Sequence, residues 1–507
     1  MQKNVKLEKH AGCRTLRRWT AAVSTAIACG GLYAAMPVLE MRLSLFAPQA
    51  DGLHDDTPAF RAFFKAAAAA KCRKLVIDPG VYLLEVPSSI PLYGDCMVVA
   101  EGAEFRFPEN LGDRPHRVMF RGTDLRNFRW RGGFFRGYVY DPDAAENRWE
   151  PFANTRALLF DTTAGGGTDG IHVSEVCGEG LSGAAVSIYG HIAGGVTNRA
   201  ANIDVRDCSL VRCGIFMWDY GFLWERRTYP EKFSPVQVAL AKKYDDPDAP
   251  VEKSFWRWWP IGGGMGKGGI DVQCAENVIV GGCRMNACGD AMHIADSHHV
   301  VFSGNQVTGA RMGAFFIAHF CKDVAITGNT VDGTNGSRVM SVEKSTEDIT
   351  IVGNTFRNGG RGSWINQPKN IIIANNIFCE NTLKCTPETG KGRHTYHAKD
   401  GFEKYPEIYF TTYAPRAEYG PVILRDNIFT LSPHASLAVA FRNGGRGIIF
   451  ENNIFRGARK DVYVGPHCEM PRMAGNTGLG KVVREIGDLQ TGGGLPEDRW
   501  EGKGRGK

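Results

Sequence analysis

The chain has 507 residues, of which 43% are hydrophobic and 22% are charged, and this is the composition of a globular protein with a large core. Its net charge of +6 is concentrated at the N-terminus, where residues 1–18 hold six Lys and Arg residues against one Glu. The remainder is nearly neutral, which excludes the basic stripe that a nucleic-acid-binding surface carries. Nucleic acid is therefore not an expected partner.

An uncharged apolar segment, 19–39, follows the basic residues. A basic segment ahead of an apolar one is typical of a signal peptide, and this run is also long enough for a membrane anchor. Arg17-Arg18 resembles a twin-arginine signal, and Ala26–Cys29 resembles a lipoprotein box. Residues 1–38 are therefore predicted to be a signal peptide or a membrane anchor. The protein is expected to be exported to the periplasm or the extracellular space, either free or attached to the membrane through residues 19–39.

A short phrase recurs from about residue 200 onward. Its copies are NVIVGGC (277–283), HVVFSGN (299–305), DVAITGN (323–329), DITIVGN (348–354), NIIIANN (370–376), PVILRDN (421–427) and GIIFENN (447–453). The alternating apolar residues indicate strands, and the closing Gly-Asn or Asn-Asn favours a turn with one left-handed residue. A period of 22–26 residues holds three short strands and three turns. The repeat predicts a coil in which each turn lies about 4.8 Å above the last, with the closing Asn side chains stacked as a ladder.

Cysteines occupy the same ladder position in two copies of the repeat. Cys208 and Cys283 replace the Asn. Cys213 follows Cys208 by five residues, and Cys288 follows Cys283 by the same number. Fourteen cysteines in an exported chain are also compatible with disulfides. Equivalent positions in a repeat instead favour buried thiols that pack as small hydrophobic side chains, so mostly free cysteines are expected.

Residues 39–86 carry a second signature. Its pieces are Ala50-Asp51-Gly52, Asp55-Asp56-Thr57, a helix from Pro58, and Pro79-Gly80-Val81-Tyr82. This segment resembles the opening of the pectate-lyase superfamily domain, which polygalacturonases share. The resemblance implies an all-β fold, a right-handed parallel β-helix solenoid with an N-terminal capping helix, and a protein that handles a polysaccharide.

The capping helix is expected to have Pro58 at its first position, with the side chain of Asp56 or Thr57 as its cap. Phe60, Phe63 and Phe64 form an apolar stripe on that helix that can plug the open end of the coil. The predicted organisation is a capping helix with the first coils over 39–107, a β-helix over 108–476 with insertions at 218–268 and 379–420, and a disordered tail over 477–507.

The strand before each ladder phrase can be aligned between coils. The aligned segments are GIDVQC (269–274), AMHIAD (291–296), AFFIAH (314–319), VMSVEK (339–344) and GSWINQ (362–367). Alternate residues face opposite sides of a strand, and the almost wholly apolar set is expected to face the core. The first outward column is then Asp271, His293, Phe316, Ser341 and Trp364, and the second is Gln273, Ala295, Ala318, Glu343 and Asn366.

Asp271 and His293 fall on adjacent coils, about 4.8 Å apart along the stack. A carboxylate at that distance can orient an imidazole, and the pair is predicted to be the acid–base pair of an active site. Glu343, Asp296 and Lys344 are predicted to assist it. The residues predicted to bind the substrate are Phe216, Trp218, Trp224, Trp256, Trp258, His319 and Trp364. Each prediction has a structural alternative. The outward columns could be an ordinary solvated sheet face, Lys344 could be a turn residue, and the 218–268 insertion could pack only on itself.

The resemblance leaves the reaction open. Gly289-Asp290-Ala291 keeps one residue of the Asp pair of polygalacturonase-like hydrolases, but their His is absent at 311–313. Ser341–Ser345 resembles the Ile-Ser-x-Lys-Ser phrase of lyases on this fold, yet Asn366 stands where their Arg is expected. The expected function is a lyase or glycoside hydrolase acting on an acidic or cell-surface polysaccharide, or alternatively a non-catalytic carbohydrate-binding or exopolysaccharide-assembly factor. No metal site or required cofactor is predicted, calcium is left as an option, and the oligomeric state is open.

Overall fold

The computed structural model describes residues 40–112, 116–139, 145–149, 153–214, 268–310, 313–318, 320–333, 338–343, 345–360, 362–382, 406–412, 417–432, 437–442, 444–457, 461–465 and 467–484. Segment 1–38, nearly all of insertion 218–268 and most of insertion 379–420 lie outside these ranges. The described strands belong to one compact unit, Leu39–Lys507.

The described strands form three long sheets, here called A, B and C. Sheet A contains Glu40–Arg42, Lys74–Val76, Met97–Val99, Arg126–Arg131, Asp169–Ser174, Ala200–Arg206, Ala275–Gly281, His298–Ser303, Lys322–Thr327, Glu347–Val352, Lys369–Ala374, Val422–Arg425, Ile448–Glu451 and Arg472–Ala474. Sheet B contains Asp51–Asp55, Gly80–Leu83, Ala103–Arg106, Phe134–Arg136, Cys177–Glu179, Ser209–Val211, Arg284–Asn286, Gln306–Thr308, Thr330–Asp332, Thr355–Arg357, Ile377–Cys379, Ile428–Leu431 and Ile454–Gly457. Sheet C contains Ile90–Pro91, His116–Thr123, Asn154–Asp161, Val186–Tyr189, Gly268–Gln273, Asp290–Ala295, Gly313–Ala318, Arg338–Val342, Ser363–Asn366, Ile408–Thr411, Val439–Phe441, Val462–Val464 and Val482–Arg484. A separate antiparallel pair joins His191–Ala193 to Val196–Asn198.

The chain visits sheets C, A and B in turn, and each strand pairs in parallel with its counterpart in the next coil. In sheet A, for example, Ile203 pairs with Val278 and Val278 with Val300. All three side chains are buried, so equivalent apolar positions stack on one another into a continuous core. This is a parallel β-helix, as the repeat predicted.

An asparagine ladder closes one corner of the coil. Nδ2 of Asn305 donates to Oδ1 of Asn329 over 3.0 Å, and Nδ2 of Asn329 donates to Oδ1 of Asn354 over 2.9 Å. The same bond continues through Asn376, Asn427, Asn453 and Asn476. The residue before each ladder Asn is left-handed, as at Gly304 and Asn375, which is why Gly, Asn or Asp precedes it. The predicted stacking is confirmed.

The cysteines extend the ladder as free thiols. Cys208 and Cys283 are buried, and the backbone N–H of Cys283 donates to Oδ1 of Asn305 over 3.0 Å. All eleven cysteines within the described ranges are free, which confirms the expectation for them. Burial raises the pKa of the Cys213 thiol well above its usual value, so this group is suited to packing rather than to reaction.

The α-helix Thr57–Ala69 and the 3₁₀ helix Leu43–Phe46 lie at the N-terminal end. Phe60 and Phe63 are fully buried, and the Phe60 ring centroid lies 5.9 Å from those of both Phe105 and Phe120. The helix therefore covers the apolar end of the stack. No helix in the described ranges has both the length and the apolar composition needed to cross a bilayer.

The predicted capping role of Asp56 and Thr57 is wrong in its detail. Asp56 has helical backbone angles and makes no side-chain bond to the helix, because a capping side chain needs an extended backbone to reach forward. Its carboxylate instead accepts from the backbone N–H groups of Gln49 and Ala50, at 2.6 and 3.0 Å. Asp55 accepts from the first helical N–H, that of Thr57, over 2.9 Å.

Candidate functional site

The outward columns of sheet C have the predicted register. Asp271 pairs with His293, His293 with Phe316, Phe316 with Ser341, and Ser341 with Trp364. The alternate residues, such as Ile270 and Met292, are buried in the core. Period-two alternation therefore places Asp271 and His293 on the same outer face, one coil apart.

The carboxylate of Asp271 is held on both oxygens. Oδ1 lies 2.8 Å from Nδ1 of His293, and Oδ2 accepts a hydrogen bond from the Tyr189 hydroxyl over 2.6 Å. Burial raises the pKa of the Tyr189 phenol, so this hydroxyl stays protonated and donates. A carboxylate that accepts from Nδ1 of an imidazole leaves Nε2 as the nitrogen available to exchange a proton.

Tyr189 is a site residue that the alignment of strands missed. It lies in Val186–Tyr189, one coil before Asp271, and pairs in register with Gln273. The segment AVSIYG (185–190) shows the same alternation as GIDVQC, with apolar residues at 186 and 188. That alternation was the signal available, but 82 positions separate Tyr189 from Asp271 along the chain.

The predicted acid–base pair is buried rather than open. Asp271 is 0% exposed and His293 is 6% exposed, although both side chains face away from the core. An outward register therefore does not leave these two side chains exposed to solvent. Among the described neighbours, Tyr189 closes one side of Asp271, and the Phe316 ring lies 5.3 Å from the imidazole.

The residues predicted to assist the pair lie at different places. Glu343 accepts from the Ser341 hydroxyl over 3.1 Å and is two coils beyond His293, about 10 Å along the stack. Asp296 lies in the turn after the His293 strand, with a left-handed backbone, and its carbonyl accepts from Arg199. Lys344, His319, Phe216, Trp218, Trp224, Trp256 and Trp258 lie outside the described residues.

Trp364, predicted to bind the substrate, lies on the outer face three coils after His293. The guanidinium of Arg338 lies over its ring, 4.5 Å from the centroid. The ring of Tyr409, from the next coil, has its centroid 5.3 Å away. The sequence alignment paired neither of these residues with Trp364, because Arg338 begins its strand and Tyr409 follows an insertion.

One family model matches the chain: the periplasmic copper-binding protein (NosD) family, over residues 261–414. Copper is held by clusters of nitrogen and sulfur ligands. Within the part of the chain that the structure describes, no three His, Cys, Asp or Glu side chains are grouped so that they could hold a metal ion. The described residues therefore do not fit a copper site.

No curated protein matches the chain. Among solved structures, the A-module of the mannuronan C-5 epimerase AlgE6 of Azotobacter vinelandii is 12% identical, with a TM-score of 0.58, over 88% of this chain and 99% of that one. The surface protein and adhesin PfbA of Streptococcus pneumoniae is 12% identical, with a TM-score of 0.50, over the same shares. Identities this low establish the fold alone. Together with the three parallel sheets, they identify the chain as a right-handed parallel β-helix protein.

Proposed function

We propose that the chain is an exported polysaccharide-processing enzyme that acts on an acidic or cell-surface polysaccharide. Of the two reaction types, we favour a lyase over a glycoside hydrolase. The observation that carries the proposal is the hydrogen bond between Nδ1 of His293 and Oδ1 of Asp271, with Tyr189 holding the second oxygen. A carboxylate that orients an imidazole in this way is a common arrangement for a general base.

In the proposed reaction, Nε2 of His293 accepts the proton from the carbon beside a uronate carboxylate. The electron pair of that C–H bond forms a carbon–carbon double bond, the glycosidic C–O bond breaks, and the leaving oxygen takes a proton from solvent. A hydrolase usually needs two carboxylates that flank the bond. Here the carboxylate of Asp271 is engaged by an imidazole and a phenol, which favours elimination.

Two observations support export. Residues 1–39 combine a basic segment with an uncharged apolar one. The family matched over 261–414 is described as periplasmic, and the structurally similar PfbA is described as a surface protein. The fold shared with a mannuronan epimerase module is compatible with a polysaccharide as the substrate.

The second candidate function is a non-catalytic carbohydrate-binding or exopolysaccharide-assembly factor. The observation that favours it is burial: Asp271 is fully buried and His293 is 6% exposed. A sugar would have limited access to Nε2 in this conformation. A purely structural hydrogen bond within the outer column would have the same geometry.

The test is a turnover screen of the purified protein on acidic and neutral polysaccharides. Formation of new reducing ends together with ultraviolet-absorbing unsaturated products is expected. Reducing ends without that absorbance would identify a hydrolase. If the protein binds polysaccharides but forms neither product anywhere in the screen, the enzyme proposal is rejected and the carbohydrate-binding function is favoured.

A further inference from the structure

A cluster of aromatic and basic side chains lies on the outer face of sheet C beyond the acid–base pair. Trp364 pairs in register with Tyr409, and Arg338 lies over the Trp364 ring. Arg442 donates from Nη1 to the Tyr409 hydroxyl over 3.2 Å. The two rings therefore hold two half-buried guanidinium groups on this face.

Asn366 lies two residues after Trp364, on the same face of the strand, and is 0% exposed. Within the described residues, neither Nδ2 nor Oδ1 of Asn366 has a hydrogen-bond partner, and Nε1 of Trp364 has none either. Buried polar groups in folded proteins are almost always paired, and leaving them unpaired is costly. A bound ligand would supply the partners that these groups lack.

We propose that Arg338, Trp364, Asn366, Tyr409 and Arg442 form a subsite, here called the Trp364 subsite, that binds an acidic sugar residue. This inference rests on the proposed function, because it assumes that a glycan lies along sheet C.

The chemistry of the side chains selects the ligand class. The indole N–H and the guanidinium groups can only donate, so the ligand must offer acceptors, and a carboxylate is the strongest acceptor for Arg. Glu343 occupies the place equivalent to Asn366 one coil earlier. It would repel a bare anion but accept from a sugar hydroxyl. A sugar that carries both a carboxylate and hydroxyls matches this combination of donors and acceptors.

The position of the subsite predicts a preference for chain length. Trp364 is three coils beyond His293, about 14 Å along the stack. A glycan chain that spans several sugar rings can occupy both places at once, whereas a single sugar cannot. Long oligosaccharides should therefore bind more tightly than short ones.

The experiment measures the dissociation constants of long oligogalacturonate and oligomannuronate, and of their carboxyl-methylated esters, by titration calorimetry. It uses the full chain carrying Asp271→Asn, so that turnover does not consume the ligand. Adding Asn366→Ala or Trp364→Phe, which removes the indole N–H but keeps an aromatic ring, should weaken binding of the best acidic ligand about 10-fold each. Thr350→Ala, on the exposed face of sheet A, is the matched control and should leave the affinity unchanged.

Three results would overturn the inference: no acidic oligosaccharide binds, the methyl esters bind equally well, or Asn366→Ala keeps the parent affinity because water satisfies the amide. The outcome is separable from that of the proposed function. If these variants lose binding and the wild-type protein shows no turnover, the subsite is supported and the proposed lyase activity is rejected. If turnover depends on His293 but not on Asn366, the proposed lyase activity is supported and the Trp364 subsite is rejected.

Discussion

At the scale of single residues, the bond between Asp271 and His293 makes the sharpest prediction. Asp271→Asn keeps the shape of the side chain, but its amide no longer fixes the proton on Nδ1 of His293. His293→Ala removes the base. On a confirmed substrate, each change should lower the initial rate by about 100-fold or more, the usual size of a general acid–base contribution.

Tyr189→Phe is the matched control for this prediction. It removes one hydrogen bond to Asp271 and leaves the bond to His293 in place, so a smaller loss of rate is expected. Full activity of both the Asp271 and His293 variants would show that the reaction takes place elsewhere on the protein.

Glu407 is a buried carboxyl group outside the proposed site. Burial raises its pKa from 4.5 to about 7, and its two oxygens accept from the backbone and side-chain N–H groups of Asn381. Because the pKa in the folded state is above the ordinary one, the folded protein binds the proton more tightly. The stability that protonated Glu407 contributes is fully present below about pH 4.5 and is lost as the pH rises through about 7.

Glu407→Gln removes the charge at every pH, although its amide can accept from Asn381 through only one oxygen. The cost of the lost acceptor is the same at every pH, so the free energy of unfolding of the variant relative to the wild type should rise by about 3 kcal/mol between about pH 4 and pH 8. Denaturant midpoints of both proteins at the two pH values measure it. An equal offset at both, or none, would contradict a raised pKa; Thr350→Ala controls for the effect of pH on the wild-type background.

At the scale of structural elements, the asparagine ladder is the feature to test. Asn329 accepts from the backbone and the side chain of Asn305 and donates to Oδ1 of Asn354 and to the carbonyl of Phe302. Asn329→Leu leaves buried donors and acceptors unpaired on two neighbouring coils. It should lower the free energy of unfolding by about 1–3 kcal/mol.

Asn476→Leu, at the end of the ladder, is the matched control. Asn476 is only half-buried and has a ladder partner on one side, Asn453, so water can satisfy part of what is lost. A smaller change in the denaturation midpoint is expected there. If the two variants lose the same free energy of unfolding, burial does not determine how much a ladder Asn contributes to stability.

At the scale of the whole molecule, export is the prediction to test. Residues 1–50 fused to a reporter that is active only outside the cytoplasm should produce signal, because six basic residues precede an uncharged apolar run. A fusion of residues 40–50 alone is the control and should be silent. A silent 1–50 fusion with confirmed expression would count against export. It would then contradict the location that the proposed function assumes.

Sequence alone was sufficient for the coil architecture, the Asn ladder and the register of Asp271 on His293. The strands of the coil recur along the chain and the Asn recurs over several successive coils, and the alternation of apolar residues leaves one register in which the core is apolar. Tertiary structure alone decided that Tyr189 holds Asp271, that the pair is buried, and that Asp55 rather than Asp56 binds the helix N-terminus. It also decided that Asn366 is buried with no hydrogen-bond partner among the described residues. These properties depend on which non-repeating side chains fill the space between coils, and residues that meet there are separated by tens of positions and by insertions. A repeat specifies the position of a backbone, but the environment of a side chain is set by neighbours that do not repeat.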